Sequence, residues 1–373
     1  ADPLDVPHCD DLAQENIEWI GEDIAERFTS AAVDCSKLND SSAKKDLSIV
    51  YTPLFGSGRD FVLDALEKDG FSQVHLVKKQ AGFDGKFPGL RKPNPEEPEV
   101  FRIAEREALQ EHADLMIATD PDSDRIGAGV ICDSKAFFFT GNQIGALLAD
   151  FLSRQGSVKG KIMVTTVVTG DLGSRIVTSR GATVIHTLTG SKFVCEEMNH
   201  MEAGEFLLGY EESHGYIGGM HIRDKDGVLA AMLLCETAAW HKTQGKTLLD
   251  ALEDLYQEYG YYIDEQDSFV FEGAKGAKEM QKIMARLRSR RGSVFAPLGK
   301  PDKMLDYEKG VDELPRSNVL KFFFPNGSWV AVRPSGTEPK IKFYYCIRGK
   351  DQRQAQDLYE AVQTSVEEFL RTF

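Results

Sequence analysis

Residues 47–77 read LSIVYTPLFGSGRDFVLDALEKDGFSQVHLV and contain two kinds of hydrophobic pattern. The apolar run at 47–55 predicts a strand, the GSG at 56–58 predicts a loop, and the segment from 59 to Gly70 predicts a helix that this glycine ends. A second apolar run at 72–77 predicts another strand. Because strand, helix and strand in this order form a βαβ unit, we expect a parallel sheet.

The same alternation of strands and helices continues after this unit. It predicts a first α/β domain at residues 47–156 and a second at 157–266. Alternating apolar runs around Asn326-Gly327 predict a hairpin with a turn of the primed type, in a third domain at 267–373. The expected fold class is therefore α/β, with two tandem doubly wound domains of mixed or parallel sheet and a C-terminal α+β domain with an antiparallel sheet.

The composition narrows the possible partners. The 373 residues include 44 Lys and Arg against 59 Asp and Glu, and the net charge of -15 repels nucleic acid and anionic membranes. No apolar run approaches the ~18 residues that span a bilayer, and the acidic, proline-broken start is unlike a signal peptide. We therefore expect a cytoplasmic protein without a nucleic-acid or membrane partner. Six cysteines without a C-x-x-C pair argue against a zinc site or a disulfide framework.

An acidic stretch, DPDSDR at 120–125, follows the predicted strand at 114–119 directly. Open α/β sheets bind ligands at the carboxyl ends of their strands. Three carboxylates this close together suit a hard cation with oxygen ligands, Mg²⁺ first, and Arg125 suits a phosphoryl group. A calcium-binding EF-hand loop is excluded, because Arg125 and Ile131 occupy its Gly and Glu positions. A solvated acidic turn is the alternative interpretation.

A second polar stretch, RPSGTEPK, occupies residues 333–340 between two predicted strands. Its small residues let successive backbone N–H groups converge on an anion, and Ser335 and Thr337 add hydroxyl groups. The guanidinium of Arg333 can bind two phosphate oxygens at once. The stretch therefore suits a phosphate-binding loop, and it suits an ordinary turn equally well.

A third stretch, GYEESHGY at 209–216, is followed by RDKDG at 223–227. The side chains of Glu211 and Ser213 can bind the vicinal hydroxyl groups of a sugar. A partly desolvated Lys225 can act as a general acid or base, or contact a phosphate. The alternative is a set of polar residues at a strand end in front of a capped helix.

The order of these motifs along the chain resembles that of the α-D-phosphohexomutases, the phosphoglucomutase and phosphomannomutase family. DPDSDR is followed by TGSK at 189–192, by YEES with RDKDG, and finally by RPSGTEPK. The resemblance runs from about Leu47 to the C-terminus. It is closer to the bacterial-type phosphoglucomutase and phosphomannomutase group than to the glucosamine mutases.

The resemblance implies a role for each matching position. Asp120, Asp122 and Asp124 would hold one Mg²⁺ ion. Arg125 would lie beside the reacting phosphoryl group, and Lys225 would relay a proton or contact a phosphate. The implied substrate-binding residues are Thr189, Gly190, Lys192, Glu211, Ser213, Arg333, Ser335, Gly336, Thr337 and Lys340. The implied substrate is a hexose phosphate, glucose before mannose, with a phosphoserine as phosphoryl donor and a sugar bisphosphate as intermediate and activator.

Two departures from the family pattern affect these expectations. The family's nucleophilic serine lies in an S-H-N-P loop of the first domain, and no serine here is followed by His-Asn. Residues 1–46 predict one or two polar helices without a strand partner, so we expect a helical remnant of that first domain. The chain is then a fragment that binds ligand without turning it over. In addition, Ser191 stands where the family's loop has an aromatic residue.

Three alternatives stay open at this level. The chain can be a phosphosugar-binding protein without catalytic activity, a phosphopentomutase of the same family, or a metal-dependent phosphatase that uses water in place of serine. The sequence does not indicate an oligomeric state.

Overall fold

The computed structural model describes residues 18–202, 204–271, 273–335 and 339–373, which form three sheets with helices packed on them. The elements of the first part are α1 (Glu22–Val33), α2 (Ser41–Asp46), β1 (Ser48–Thr52), α3 (Gly58–Lys68), β2 (Gln73–Leu76), α4 (Arg102–Glu111), β3 (Leu115–Thr119), β4 (Ile126–Cys132) and β5 (Lys135–Phe138). The sheet has the order β2-β1-β3-β4-β5. Strand β1 is parallel to β2 and β3, and β4 and β5 run antiparallel, so the predicted βαβ unit is confirmed.

The second part repeats this architecture with a smaller sheet. Its elements are α5 (Gly141–Arg154), β6 (Ile162–Thr166), α6 (Asp171–Ser179), β7 (Thr183–Thr187), α7 (Ser191–Met198), β8 (Phe206–Tyr210), β9 (Tyr216–Ile217), α8 (Gly227–Lys242) and α9 (Leu248–Tyr259). The strand order is β7-β6-β8-β9, with β6 parallel to both β7 and β8. Helix α8 is buried along almost its whole length because it packs against elements of both the first and the second part. A helix that packs against neighbours on all sides needs apolar residues all around its surface.

The third part is an antiparallel sheet covered by helices. Its elements are β10 (Tyr261–Val270), α10 (Gly273–Arg290), β11 (Lys303–Asp306), β12 (Leu320–Phe323), β13 (Trp329–Pro334), β14 (Lys340–Gly349) and α11 (Gln352–Leu370). The order is β10-β14-β13-β12-β11, and every neighbouring pair is antiparallel. The sheet buries one continuous apolar cluster against α10 and α11. The predicted fold class is confirmed in all three parts.

The predicted hairpin at Asn326-Gly327 joins β12 to β13, but its turn is not of the primed type. A primed turn needs positive φ at its first central residue or at both, and neither Pro325 nor Asn326, the central residues of this turn, has it. The positive φ, 85°, is that of Gly327, which follows them. The loop is longer than two residues: the Gly327 N–H donates to the Phe324 carbonyl at 2.9 Å, and the Asn326 side chain accepts from the Ser328 N–H at 3.0 Å.

Helices α1 and α2 pack mainly on α3 and α8. Helix α1 contacts α3 and α8, and α2 contacts α8. The domain boundaries drawn from the sequence stay predictions. Among the described residues, no helix combines the length and the apolar character that crossing a bilayer requires.

Candidate functional site

A cavity of about 400 Å³ lies where the strand ends of the first two parts face the antiparallel sheet. It is lined by Arg125 from the acidic stretch, Thr189 from the TGSK stretch, Ser213 from the YEES stretch and Arg333 from the RPSG stretch. The remaining lining residues are Glu96, Glu97, Thr140, Gly141, Asn142, Val168, Glu212, His214, Asp264, Glu265, Gln266, Lys342, Tyr344 and Tyr345. The fold therefore brings all four motifs together at one cavity.

The acidic loop, residues 120–125, places its three carboxylates side by side. One oxygen each of Asp120, Asp122 and Asp124 lies within 4.8 Å of the other two. The loop turns through Ser123, whose φ is 58°, and the backbone N–H of Arg125 donates to Asp120 Oδ1 at 2.9 Å. The acidic stretch thus places three carboxylate oxygens close together at the end of β3, and their role as metal ligands stays a prediction.

Close backbone contacts hold the loop from two sides. A Cβ atom on Gly58 would lie 2.4 Å from Ser123 Oγ, and a Cβ atom on Gly227 would lie 2.6 Å from the Ser123 carbonyl oxygen. The Gly227 N–H donates to that same carbonyl at 2.9 Å. Only glycine allows this approach, so the starts of α3 and α8 fix the shape of the loop.

The electrostatics of the loop fit a divalent cation. Burial, and next to it the negative charge of Asp124, raises the pKa of the Asp120 carboxyl to about 8. Asp124 forms an ion pair with Lys225, and its buried Oδ1 lies 3.5 Å from Arg125 Nε without a hydrogen bond to any described residue. A buried carboxyl group that is costly to ionise, with two further carboxylates beside it, is suited to Mg²⁺.

Arg125 is held at the cavity by a residue that sequence reasoning missed. Its Nη1 lies 2.7 Å from Glu96 Oε1, and its Nε lies 3.5 Å from Asp124 Oδ1. Glu96 comes from the proline-rich stretch between β2 and α4, which carries no recognisable motif. The guanidinium is thus oriented between two carboxylates, with about a third of its side chain exposed to the cavity.

The sugar loop, residues 211–215, is joined to the neighbouring loops. Glu211 is buried and its Oε1 accepts a hydrogen bond from the Gly190 N–H at 2.8 Å. Burial raises the pKa of the Glu211 carboxyl. His214 has a φ of 65°, and its Nδ1 lies 2.9 Å from the Ile126 carbonyl oxygen, next to the acidic loop. Ser213 lines the cavity.

Glu212 is a further cavity residue for which the sequence analysis proposed no role. Burial raises the pKa of its carboxyl to about 7, and the adjacent Glu211 adds to this. The hydroxyl oxygens of Thr166 and Thr169 lie 3.5 Å from Glu212 Oε2. The carboxyl group can therefore donate or accept a hydrogen bond near neutral pH.

The antiparallel sheet contributes a basic corner. Arg333 and Lys342 are paired in register on β13 and β14, and both line the cavity. Burial lowers the pKa of the Lys342 ammonium group, and Lys340 adds to this effect. Lys342 was not among the predicted residues, although the alternation of β14 places it on the same face as Lys340 and Tyr344. Such a pair of cations suits a phosphate group.

Several predicted residues have other positions. The Ser335 N–H donates to the Lys340 carbonyl at 2.8 Å, which closes the loop between β13 and β14, whereas Gly336 and Thr337 lie outside the described residues. Lys192 is exposed on α7, with its Nζ 4.7 Å from the centre of the Phe193 ring. It does not line the cavity.

Lys225 lies at a neighbouring groove rather than at the 400 Å³ cavity. The groove has a volume of about 520 Å³, and Lys225 shares it with Asp122 and Asp124. Its opposite wall is apolar and includes Ile24 and Phe28 of α1. The acidic stretch thus contributes to two openings, with Arg125 at the cavity and Asp122 and Asp124 at this groove.

Comparison with known domain families matches three consecutive parts of the chain. Residues 26–132 match phosphoglucomutase/phosphomannomutase alpha/beta/alpha domain II, residues 140–259 match alpha/beta/alpha domain III, and residues 270–364 match the C-terminal domain. The chain belongs to the phosphoglucomutase/phosphomannomutase family.

The curated relatives are longer than this chain. A phosphoglucomutase of Staphylococcus haemolyticus is 35% identical over 368 residues, and the match covers 94% of this chain and 67% of the relative. A phosphoglucomutase of Staphylococcus epidermidis is 32% identical over 357 residues, with 92% of this chain and 65% of the relative covered. The chain thus spans about two thirds of their length.

Solved structures share the fold at lower identity. The pp63/parafusin phosphoglucomutase of Paramecium, in its open form, has a TM-score of 0.68 at 21% identity, with 92% of this chain and 61% of that chain covered. A phosphoglucomutase/phosphomannomutase family protein from Burkholderia thailandensis has a TM-score of 0.65 at 17% identity, with 92% of this chain and 64% of that chain covered. Both have the fold of this chain.

Proposed function

We propose that the chain is the ligand-binding part of a phosphohexomutase that interconverts hexose 1-phosphate and hexose 6-phosphate, with glucose preferred over mannose. The observation that carries this proposal is the convergence of Arg125, Thr189, Ser213 and Arg333 on one cavity from four separate loops. The names of the curated relatives, which are phosphoglucomutases, support the same reaction.

The two ends of the cavity suit the two ends of a phosphosugar. Arg333 and Lys342 form the end that binds the phosphate that does not react. Arg125, beside the acidic loop, is the end where a phosphoryl group is transferred. Between them, Ser213 and Glu212 offer hydrogen bonds to ring hydroxyls. A site of this kind accepts the sugar in either direction, which a reaction through a sugar bisphosphate requires.

The acidic loop adds the metal site of this proposal. Asp120, Asp122 and Asp124 would hold one Mg²⁺ ion, which neutralises charge on a transferring phosphoryl group when it is bound. Lys225, whose ammonium group forms an ion pair with Asp124, would contact a phosphate or relay a proton next to this loop. Arg125 orients the phosphoryl oxygens from the cavity side.

The chain contains no serine followed by His-Asn, so we propose that it binds hexose phosphate without converting it. In the whole enzyme a phosphoserine would donate the phosphoryl group, and a sugar bisphosphate would act as intermediate and activator. A chain that lacks this serine retains the cavity but has no phosphoryl donor.

Calorimetric titration of this chain with glucose 1-phosphate and glucose 6-phosphate, in Mg²⁺, tests the binding site. We expect both to bind, and Arg333→Ala to weaken both by about tenfold, since one charged phosphate contact is lost. Arg353→Ala, on the exposed side of α11, is the control. If neither hexose phosphate binds while ribose 1-phosphate does, the pentose-phosphate alternative replaces the proposal.

A coupled assay for conversion of glucose 1-phosphate, with Mg²⁺ and a trace of glucose 1,6-bisphosphate, tests the second part. We expect no conversion by this chain. Conversion would show that another residue carries the phosphoryl group. Release of inorganic phosphate that disappears in Asp122→Asn would instead favour a phosphatase.

Metal binding has its own test. Asp122→Asn should weaken the binding of Mn²⁺, used as a spectroscopic substitute for Mg²⁺, by about tenfold or more, because one charged ligand is lost. The matched control is Asp133→Asn in the β4–β5 turn, an exposed aspartate with a φ of 48° that asparagine also tolerates. Equal affinities in the two variants would contradict the metal site.

A further inference from the structure

A cysteine, a histidine and an aspartate lie in a row outside the cavity. Cys35 follows the end of α1, His221 lies in the loop between β9 and α8, and Asp226 is the N-cap residue of α8. Cys35 Sγ is 4.0 Å from His221 Nδ1, and His221 Nε2 is 3.0 Å from Asp226 Oδ2. Thiol, imidazole and carboxylate in this order are the arrangement that activates nucleophilic cysteines.

The surrounding structure holds these three groups in place. The second oxygen of Asp226 accepts hydrogen bonds from the N–H groups of Val228 at 2.9 Å and Leu229 at 3.1 Å, so the helix start orients the carboxylate. Gly219 packs against the other end of the row. A Cβ atom there would lie 2.7 Å from Cys35 Sγ and 2.8 Å from His221 Nδ1. Only glycine leaves room for the sulfur and the ring nitrogen together.

His221 carries a positive charge beside the sulfur of Cys35. The hydrogen bond to Asp226, and next to it the contact with Cys35, raises the pKa of the His221 imidazole to about 9. The ring is therefore protonated at neutral pH, and a cationic neighbour favours a thiolate. The titratable groups that face His221 are Asp226 from α8 and Cys35 behind α1, and Phe28 of α1 is an aromatic neighbour at 6.1 Å. The carbonyl oxygen of Ala31, 3.5 Å from Sγ, is the competing partner that favours the thiol.

We propose that Cys35 is a reactive thiolate and a modification site for hydrogen peroxide and similar small electrophiles. With hydrogen peroxide, the sulfur attacks one oxygen, an S–O bond forms and the O–O bond breaks. The sulfur is oxidised to a sulfenic acid. The leaving hydroxide takes a proton from the imidazolium of His221 and departs as water, so that the peroxide is reduced and the histidine becomes neutral.

The other described cysteines provide the contrast. Cys195, Cys235 and Cys346 are buried, and burial raises the pKa of each thiol. Cys132 is exposed at the end of β4, and within the described part of the chain its sulfur has no hydrogen bond to a histidine. Cys132 is therefore the internal control, because its sulfur is exposed but is not activated by a histidine. Cys9 lies outside the described residues.

Alkylation of this chain by iodoacetamide at pH 7, followed cysteine by cysteine with peptide mass spectrometry, tests the proposal. We expect Cys35 to react about tenfold faster than Cys132, although Cys132 is more exposed, because thiolates are the reactive form. Hydrogen peroxide with dimedone, which traps sulfenic acids, should label Cys35 before Cys132. A Cys35 rate equal to or below that of Cys132 would overturn the proposal.

Two further measurements distinguish activation of Cys35 by His221 from simple exposure of the Cys35 sulfur. His221→Gln should lower the Cys35 rate about tenfold and leave the Cys132 rate unchanged, and an unchanged Cys35 rate would overturn the proposal. Alkylation of the buried Cys235 and Cys346 would show that this variant is misfolded. In that case, the pH dependence of the Cys35 alkylation rate in the unmodified chain tests the proposal. An ordinary thiol reacts about tenfold faster per pH unit below about 8.5, so a Cys35 rate that rises in this way from pH 6 to pH 8 also overturns it.

Discussion

The backbone of Arg125 pairs with that of Gly215 in an antiparallel bridge, which joins the acidic loop to the sugar loop. The Ile126 N–H donates to the His214 carbonyl at 3.1 Å, and His214 Nδ1 lies 2.9 Å from the Ile126 carbonyl oxygen. The two loops come from different sheets and are far apart in sequence. These hydrogen bonds join the two loops directly, so we expect a change in one loop to affect the other.

His214→Ala should weaken the binding of Mn²⁺ and of glucose 1-phosphate together. The substitution removes the contact with Ile126 and places alanine at a φ of 65°, which alanine adopts reluctantly. We expect each affinity to fall by about fivefold or more, since one buried hydrogen bond is lost. Titration calorimetry measures both, and the exposed His200→Ala is the control. A loss in only one of the two affinities would contradict the coupling.

Gly227→Ala should distort the acidic loop. The new Cβ atom would lie 2.6 Å from the Ser123 carbonyl oxygen, and backbone on both sides has to move. We expect a loss of about 1–3 kcal/mol in the free energy of unfolding and a weaker affinity for Mn²⁺. Gly82→Ala is the matched control, because a Cβ atom there meets no atom within 4 Å. Urea unfolding of the two variants gives the comparison, and equal stabilities would refute the prediction.

Glu236→Ala should be among the most destabilising single changes in the chain. Glu236 is fully buried on α8 and accepts hydrogen bonds from the N–H groups of Lys37 at 2.9 Å and Leu38 at 3.0 Å. It also forms an ion pair of 2.8 Å with the buried Lys44. Its removal leaves the two N–H groups without their acceptor and leaves Lys44 with Asp69 as its remaining carboxylate partner, at 2.6 Å, which together costs about 3–5 kcal/mol.

Thermal and urea unfolding measure this loss. Glu236→Gln, which keeps an acceptor oxygen and the volume, is the matched variant and should lose less. A loss below about 1 kcal/mol in Glu236→Ala would mean that water replaces the carboxylate, and the prediction would then be wrong.

His241 should make the protein sensitive to acid. Burial lowers the pKa of its imidazole to about 4, and neither ring nitrogen has a hydrogen-bond partner in the part of the chain that the structure describes. Below about pH 6.5 the unfolded chain takes up a proton at this residue, whereas the folded chain does not until about pH 4. The free energy of unfolding should therefore fall by up to about 3 kcal/mol as the pH is lowered through this window, and the contribution is complete above it.

The variant His241→Phe removes this titration. When the pH is lowered from 7 to 4.5, we expect the free energy of unfolding of the unmodified chain to fall by about 2 kcal/mol or more relative to that of the variant. His200→Gln, at an exposed histidine, should show no such shift. Urea unfolding at both pH values gives the comparison, and parallel curves for the two chains would contradict the assignment.

Lys342→Gln should weaken the binding of the phosphosugar although no motif contains this residue. Its ammonium group lines the cavity beside Arg333, and its removal leaves one cation at the phosphate end. We expect about tenfold weaker binding of glucose 6-phosphate by calorimetry. Lys350→Gln, at an exposed position just beyond β14, is the control. If both variants bind with the affinity of the unmodified chain, the phosphate end lies elsewhere.

Local sequence patterns were sufficient to predict the helices and strands of the fold and to locate the motifs. The βαβ pattern at 47–77 and the alternation around Asn326-Gly327 are properties of neighbouring residues, and the parallel and antiparallel sheets they predict are present. The acidic stretch indicated a set of oxygen ligands because its carboxylates are too close in sequence to lie apart in space. The turn type at Gly327 was missed, because hairpin geometry depends on the register of both strands.

Only the tertiary structure shows what lies opposite these motifs. Glu96 contacts Arg125 from a proline-rich loop, and Lys342 joins Arg333 through the pairing of two strands. The contact of Cys35 with His221 spans 186 positions of the chain. Periodicity and spacing indicate interactions between residues that are close in sequence. The contacts made by Glu96, Lys342 and His221 depend instead on how the sheets and α8 pack together. The residue types of the site can therefore be read from local sequence, but the ion pairs and the burial that set their chemistry require the packed fold.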